Sequence, residues 1–254
     1  MYQHKSKRLW MHPEDALRLP FFLLMLPVLF SSVSVRGQSA SDRSIYSELY
    51  GYVSDEYGFD QVLVNGISYT DKYWKKEGHQ FFPEDRSYNG NLLFRGKEYK
   101  GLEIKYDICN QQVIVYIDNI SVGVVPPDDF ISAFSLGNRL FSKYNFRGKP
   151  EFYEIIFNTD KLKCYYHWYK DVQETCDNGY SEYYYYEFSD SKRYSYLYID
   201  GSLKLYGNNK SFTGLLPPEV RPIVSKYLKK YRLKVTKSGN DDIIRLLTFC
   251  QSLL

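Results

Sequence analysis

Between Leu102 and Ile108 the chain alternates without a break. Leu102, Ile104, Tyr106 and Ile108 are apolar, and Glu103, Lys105 and Asp107 sit between them. Successive side chains of a strand point to opposite faces, so a period of two makes one apolar and one charged face. A helix would scatter the same charges around its axis. This stretch demands a strand with one buried side, and such a strand needs partners.

The partners can be sought by folding the chain at its turn residues. A two-residue turn at Asn110-Gln111 sets Ile108 opposite Val113, Tyr106 opposite Val115 and Ile104 opposite Ile117. Asp107 and Cys109 then share the outward, solvated side. A turn at Thr159-Asp160 sets Phe157 against Leu162, Ile155 against Cys164 and Tyr153 against Tyr166. Trp168 continues that apolar face, and His167 falls on the opposite one, near Phe152. Asp200-Gly201 is the strongest hairpin signal, because a type I′ turn needs a positive φ at both central residues. It pairs Tyr198 with Leu203 and Tyr196 with Leu205, leaving Leu197 opposite Lys204 and making Tyr196 and Tyr198 core residues. Further upstream, the Asn65-Gly66 pair marks a turn or bulge, and Phe81 and Phe82 are expected to pack inward from a structured turn. Pro126 and Pro127 cannot donate to a sheet ladder, so residues 124–130 read as a connection.

Tyrosine supports the same reading. Of 27 tyrosines only Tyr2 precedes residue 38, and tyrosine favours strands with one half-wet face. Residues 180–207 hold the densest group, and the strand period divides Tyr183 to Tyr186 between two faces.

Beyond Gly207 the period changes. Val220, Ile223, Val224, Tyr227, Leu228 and Tyr231 recur at helical spacing, with Lys226, Lys229 and Lys230 between them. Pro222 is tolerated only in a first turn, which places the helix start beside it. A second helix follows Gly239-Asn240, with Asp241 and Asp242 in its first turn and Ile243, Ile244, Leu246, Leu247 and Cys250 as its stripe. Both helices read as lids over one sheet face. The basic flank of the first would also suit a membrane surface.

The N-terminus obeys other rules. Lys5, Lys7, Arg8 and Arg18 precede an apolar run from Leu19 to Phe30, followed by small and polar residues to Ala40. That order predicts a secretory signal peptide over 1–37, with Val35 and Gly37 before the cut. The apolar run falls short of the roughly 20 residues a membrane span requires. The chain carries 33 basic and 30 acidic side chains. The leader holds five of the basic and two of the acidic, so residues 38–254 balance at 28 each. A nucleic-acid partner, which calls for a basic excess on the folded part, is not expected.

Four cysteines, Cys109, Cys164, Cys176 and Cys250, allow three pairings. A Cys164–Cys176 bridge and buried free thiols are both compatible with export. Only His79 and His167 follow the leader, and the irregular cysteine spacing makes no zinc motif, so no metal or cofactor is expected. Asn119-Ile120-Ser121 and Asn209-Lys210-Ser211 match the N-glycosylation pattern.

No phosphate loop, nucleophile elbow or paired-histidine motif occurs, and no catalytic residue is assigned. His79, near Glu77, Glu84 and Asp85, is a candidate general base for a hydrolase. Trp74, His79, Trp168, Tyr184 and Tyr186 are the candidate ligand-binding residues, since exposed aromatics stack on sugars.

Residues 62–69, the "GHQFF" stretch and residues 90–115, with the Tyr-rich hairpin and Lys-rich helix of 196–235, resemble a group of uncharacterised exported proteins of Bacteroidota. That resemblance implies a periplasmic or outer-membrane-associated protein and no catalytic residue. The expected architecture is mainly β, a long antiparallel meander forming a curved sheet or partly open barrel, with two C-terminal helices. Its parts are the signal peptide (1–37), a lead-in (38–60), an antiparallel β domain (61–207) and a helical segment packed on the sheet (208–254). The expected function is a non-enzymatic binding or assembly module of the envelope, its partner another envelope protein or an apolar ligand. The alternative is a glycan-binding or glycan-processing protein. An apolar ligand requires a hollow sheet interior.

Overall fold

The computed structural model describes residues 66–116, 122–146, 148–176 and 184–254. The expected leader and lead-in lie outside the described residues, as do Asn65, Ile117, Asn119 and Tyr183.

Three short strands come first, β1 (Ile67–Ser68), β2 (Lys76–Glu77) and β3 (Phe81–Phe82). The alternating stretch lies in β5 (Lys97–Asp107), between β4 (Tyr88–Phe94) and β6 (Gln112–Tyr116). A short β7 (Val124–Val125) and a 3-10 turn at Asp128–Phe130 lead to β8 (Ile131–Leu136) and β9 (Arg139–Asn145). Next come β10 (Pro150–Asn158), β11 (Lys163–Tyr169), β12 (Val172–Cys176) and β13 (Tyr184–Phe188). β14 (Lys192–Ile199) and β15 (Ser202–Tyr206) complete the strands, and α1 (Asn209–Gly214), α2 (Arg221–Lys230) and α3 (Asn240–Ser252) follow.

Twelve strands form one antiparallel sheet in the order β1-β7-β6-β5-β4-β8-β9-β10-β11-β14-β15, with β3 also paired to β5. The order ends on β1 and β15, so the sheet is open. β12, β13 and β2 make a second, three-stranded sheet in which β13 and β2 run parallel. The expected mainly-β fold with C-terminal helices is present, with the meander interrupted twice. After the Pro126-Pro127 connection, β8 returns to pair with β4, joining the two halves into one sheet. Between β11 and β14 the chain leaves for the smaller sheet.

Registers separate the good turn signals from the poor ones. At Asp200 and Gly201 φ is 52° and 72°, and Tyr198↔Leu203, Leu197↔Lys204 and Tyr196↔Leu205 pair as expected. The turn after β5 is not Asn110-Gln111. Ile104 pairs with Val115 and Tyr106 with Val113, so the loop spans residues 108–111 with Gln111 at φ 55°. A shift by two keeps every side chain on its expected face, and Leu102, Ile104, Tyr106 and Ile108 are all buried. Asp107 is the exception. It is buried rather than solvated, because the longer loop folds over it and Cys109 N, Asn110 N and Asn110 Nδ2 donate to its carboxylate at 2.7–2.9 Å.

β10 shows the opposite outcome. A bulge between Ile155 and Phe157 pairs Glu154, not Tyr153, with Tyr166. A slip by one residue exchanges the faces of a strand. Phe152, Glu154 and Ile156 therefore point inward with Tyr166, while Tyr153 and Ile155 join Tyr165 on the other side. His167 lies beside Phe152 as expected, its Nδ1 3.2 Å from the Phe152 carbonyl.

Two apolar clusters fill the inner face. The first is built only from strands and loops, around Leu92, Ile104, Tyr106, Phe134, Phe141 and Phe152. A sheet that buries such a face without helices must curl round it. The second lies under the helices, where Leu162, Cys164, Leu197 and Tyr206 meet Phe212, Val224, Leu246 and Leu247. Trp168 packs against both and marks the seam. Packed aromatic side chains occupy the sheet interior that an apolar ligand would need. On the outer face Tyr153, Tyr165 and Tyr196 form a smaller cluster. Tyr196 is core as expected, Tyr198 is half-buried, and Leu205 is exposed.

α2 begins at Arg221 with Pro222 in its first turn, and α3 carries Asp241 and Asp242 in its own. Both cover the inner face as expected. α1 occupies what reads as a polar connection. It is held by a capping box, in which Asn208 Oδ1 accepts from Ser211 N at 2.9 Å and Ser211 Oγ accepts from Asn208 N at 3.0 Å.

Candidate functional site

The inverted face of β10 creates the main candidate site. Glu154 is 2% exposed at the base of a cleft of about 700 Å³ between β9–β11 and the N-terminus of α3. An uncompensated carboxylate would be very costly there, and it is instead held from two sides. Trp168 Nε1 donates to Oε2 at 2.6 Å, Arg139 Nη1 lies 3.2 Å from Oε1, and Asn240 at the start of α3 lines the same cleft. Burial pushes the Glu154 carboxyl above its usual range, while Arg139, the indole N–H and Arg193 pull it back.

The cations are themselves anchored. Arg139 lies 5.0 Å over the ring of Phe82. Arg193 lies 3.9 Å over the ring of Tyr166 and donates to the Thr236 carbonyl at 3.1 Å. Asn138, Asp241, Asp242 and Arg245 form the rim. The site offers fixed charges of both signs and amide groups, a donor and acceptor set suited to a polar ligand.

A smaller hollow of about 230 Å³ is lined by Tyr69, Lys72, Asp107, Asn110 and Gln112. Lys72 Nζ donates to Asn110 Oδ1 at 2.6 Å, and burial raises the Asp107 carboxyl against the pull of Asn110. Burial also raises the Tyr69 hydroxyl, which accepts from the buried Gln80 at 2.8 Å.

The sequence candidates do not converge. Trp168 lines the cleft, but its indole is wedged 4.3 Å from Phe82 and its N–H is committed to Glu154. Trp74 is largely exposed beside the small sheet, where Tyr186 meets Tyr73 edge-on at 5.0 Å and Tyr184, opposite Cys176, is exposed. His79 Nδ1 accepts from Phe81 N at 3.2 Å with Lys170 Nζ 3.4 Å away, and burial and Lys170 lower its pKa. Asp85 pairs with Lys105 and Glu84 with Arg86, so these carboxylates do not orient His79 as a general base.

Sequence reasoning misses Glu154, Arg139 and Arg193. The one signal is a charged residue inside the apolar run Phe152–Phe157, which parity assigns to the solvent face.

The cysteines are all free, so the Cys164–Cys176 bridge does not form. Cys164 points into the core and Cys176 is exposed, on different sheets. Burial pushes the thiols of Cys109, Cys164 and Cys250 up to about 12, which leaves them protonated and poor nucleophiles. Among the described residues, no three His, Cys, Asp or Glu side chains gather as a metal site. Asn209 uses its side-chain amide within the fold. Its Nδ2 donates to the Leu233 carbonyl at 2.6 Å and its Oδ1 accepts from Val235 N at 2.9 Å.

Neither a family model, nor a curated protein, nor a solved structure matches this chain.

Proposed function

We propose that the protein is a non-catalytic binding module of the cell envelope, exported by its N-terminal leader, with the Glu154 cleft as its recognition site. The observation that carries this reading is the clamp itself. Glu154 is buried yet fixed by Trp168 and Arg139, so its donors and acceptors are arranged before any ligand arrives, which lowers the ordering cost of binding. The packed sheet interior favours a polar ligand over an apolar one. Among the described residues neither a histidine nor a buried thiol is poised for proton transfer at the cleft, because His79 is engaged elsewhere and three of the thiols are held protonated.

Within this reading a glycan is the favoured ligand class, from the amide and carboxylate rim of Asn138, Asn240, Asp241 and Asp242. The test is an array of envelope oligosaccharides and peptides, probed with wild type and with the rim variants Asp241→Ala and Arg245→Ala. Saccharide binding lost in both variants is the expected result. Folded protein whose binding ignores the rim variants moves the site away from the cleft. Fractionation of cells expressing the full chain checks the export half, and retention in the cytoplasm would overturn it.

A further inference from the structure

Charge in this protein is segregated. Residues 38–254 balance overall, yet residues 219–237 hold seven cationic side chains and a single carboxylate, Glu219. The rest of that length carries 21 basic and 27 acidic groups. The cations are also all exposed. Arg221, Lys226, Lys229 and Lys230 are exposed on α2, whose buried side is taken by Val224 and Leu228. Arg232, Lys234 and Lys237 extend the exposed charge along the connection to α3.

Apolar surface runs beside them. Ile223, Tyr227 and Tyr231 follow one another at four-residue spacing, which sets them in one stripe along the helix. Ile223 is 47% and Tyr231 52% exposed. The Tyr227 ring lies 4.6 Å from Tyr231 and 4.5 Å from Phe249 of α3, so an aromatic ridge crosses the two helices.

We propose that this face of α2 docks on the anionic surface of a lipid bilayer. Clustered Lys and Arg are drawn to acidic headgroups, and aromatic rings with a polar tip settle at the headgroup boundary. A nucleic acid would satisfy the lysines and leave Ile223 in water. No helix among the described residues is long and apolar enough to cross a membrane.

Vesicle co-sedimentation of the purified protein tests this. Vesicles of phosphatidylcholine mixed with phosphatidylserine should retain it, and phosphatidylcholine alone should not. Raising salt from ~0.1 M to ~1 M, which shortens screening from about 10 Å to about 3 Å, should release most of it. The triple variant Lys226→Glu, Lys229→Glu, Lys230→Glu should lose at least ~100-fold in partitioning, from roughly fivefold per basic side chain removed, with repulsion by the new carboxylates in addition. Ile223→Ser with Tyr231→Ser should lose about tenfold at unchanged charge. A control with the same charge change elsewhere, Lys100→Glu, Lys149→Glu, Lys161→Glu, should bind as wild type. Equal binding to neutral vesicles, equal losses in both charge variants, no loss in the Ile223/Tyr231 variant, or retention by DNA without retention by vesicles would each overturn the proposal. Matching thermal melts establish that every variant is folded.

Discussion

Glu154 has a carboxyl raised by burial, and the sign of its pH effect follows from that. Its folded pKa lies above the unfolded one, so its contribution is complete at acid pH and declines as pH rises through the folded value. Glu154→Gln stays neutral throughout. The stability of wild type relative to this variant should therefore fall as pH rises from about 4 towards 7 in urea melts. A relative gain with pH would mean that the Arg139 ion pair outweighs desolvation. Gly90 makes a second residue-scale case. A Cβ there would stand 2.0 Å from the carbonyl oxygen of Ser135, backbone that cannot turn aside. Gly90→Ala should cost about 3 kcal/mol in denaturant unfolding. Neither Glu154 nor Gly90 could be read from sequence, because each owes its environment to a neighbouring strand rather than to its own surroundings. Asp107 fails for the same reason: parity gives the face of a side chain, not whether a loop folds over that face.

Elements were legible where a strong local rule coincided with the packing. Asp200-Gly201 satisfied a backbone requirement that few residues meet, and its register was right to the residue. Thr159-Asp160 carried no such requirement, and the bulge in β10 won. α2 and α3 announced themselves through long apolar stripes, whereas α1 is too short to show a period. Its signals were Asn208 three positions before Ser211, and the apolar Phe212 in a polar stretch. Phe212 is fully buried among Tyr206 and the helices, so Phe212→Ala should cost about 3–5 kcal/mol at an unchanged denaturant slope. Asn208→Ala removes only the cap and should cost about 1 kcal/mol. Similar losses in both variants would show that α1 contributes as a cap and not through its core contact.

Across the whole molecule, fold class and helix placement were readable from periodicity, but strand order was not. Nothing in residues 124–130 says that the next strand returns to β4, since a connection specifies where pairing stops and not which edge it reaches. The cysteines give a global test of the structure. Cys164 and Cys250 are buried, and Cys109 is half-buried with its thiol raised to about 12, so iodoacetamide at neutral pH should label Cys176 first in the folded protein and all four after denaturation. Mass spectrometry of intact chains would read this directly, and rapid labelling of Cys164 in native conditions would contradict its placement in the core.

The return of β8 to β4 also bears on how the chain reaches its native state. The β14–β15 and β10–β11 hairpins close short loops, so each can form soon after its own turn. The β4–β8 ladder must instead bring together Asn91 and Ser135, 44 positions apart, and a longer closure meets a larger entropic barrier. The two halves of the sheet are therefore expected to condense separately, and the rate at which they join is set at this one seam.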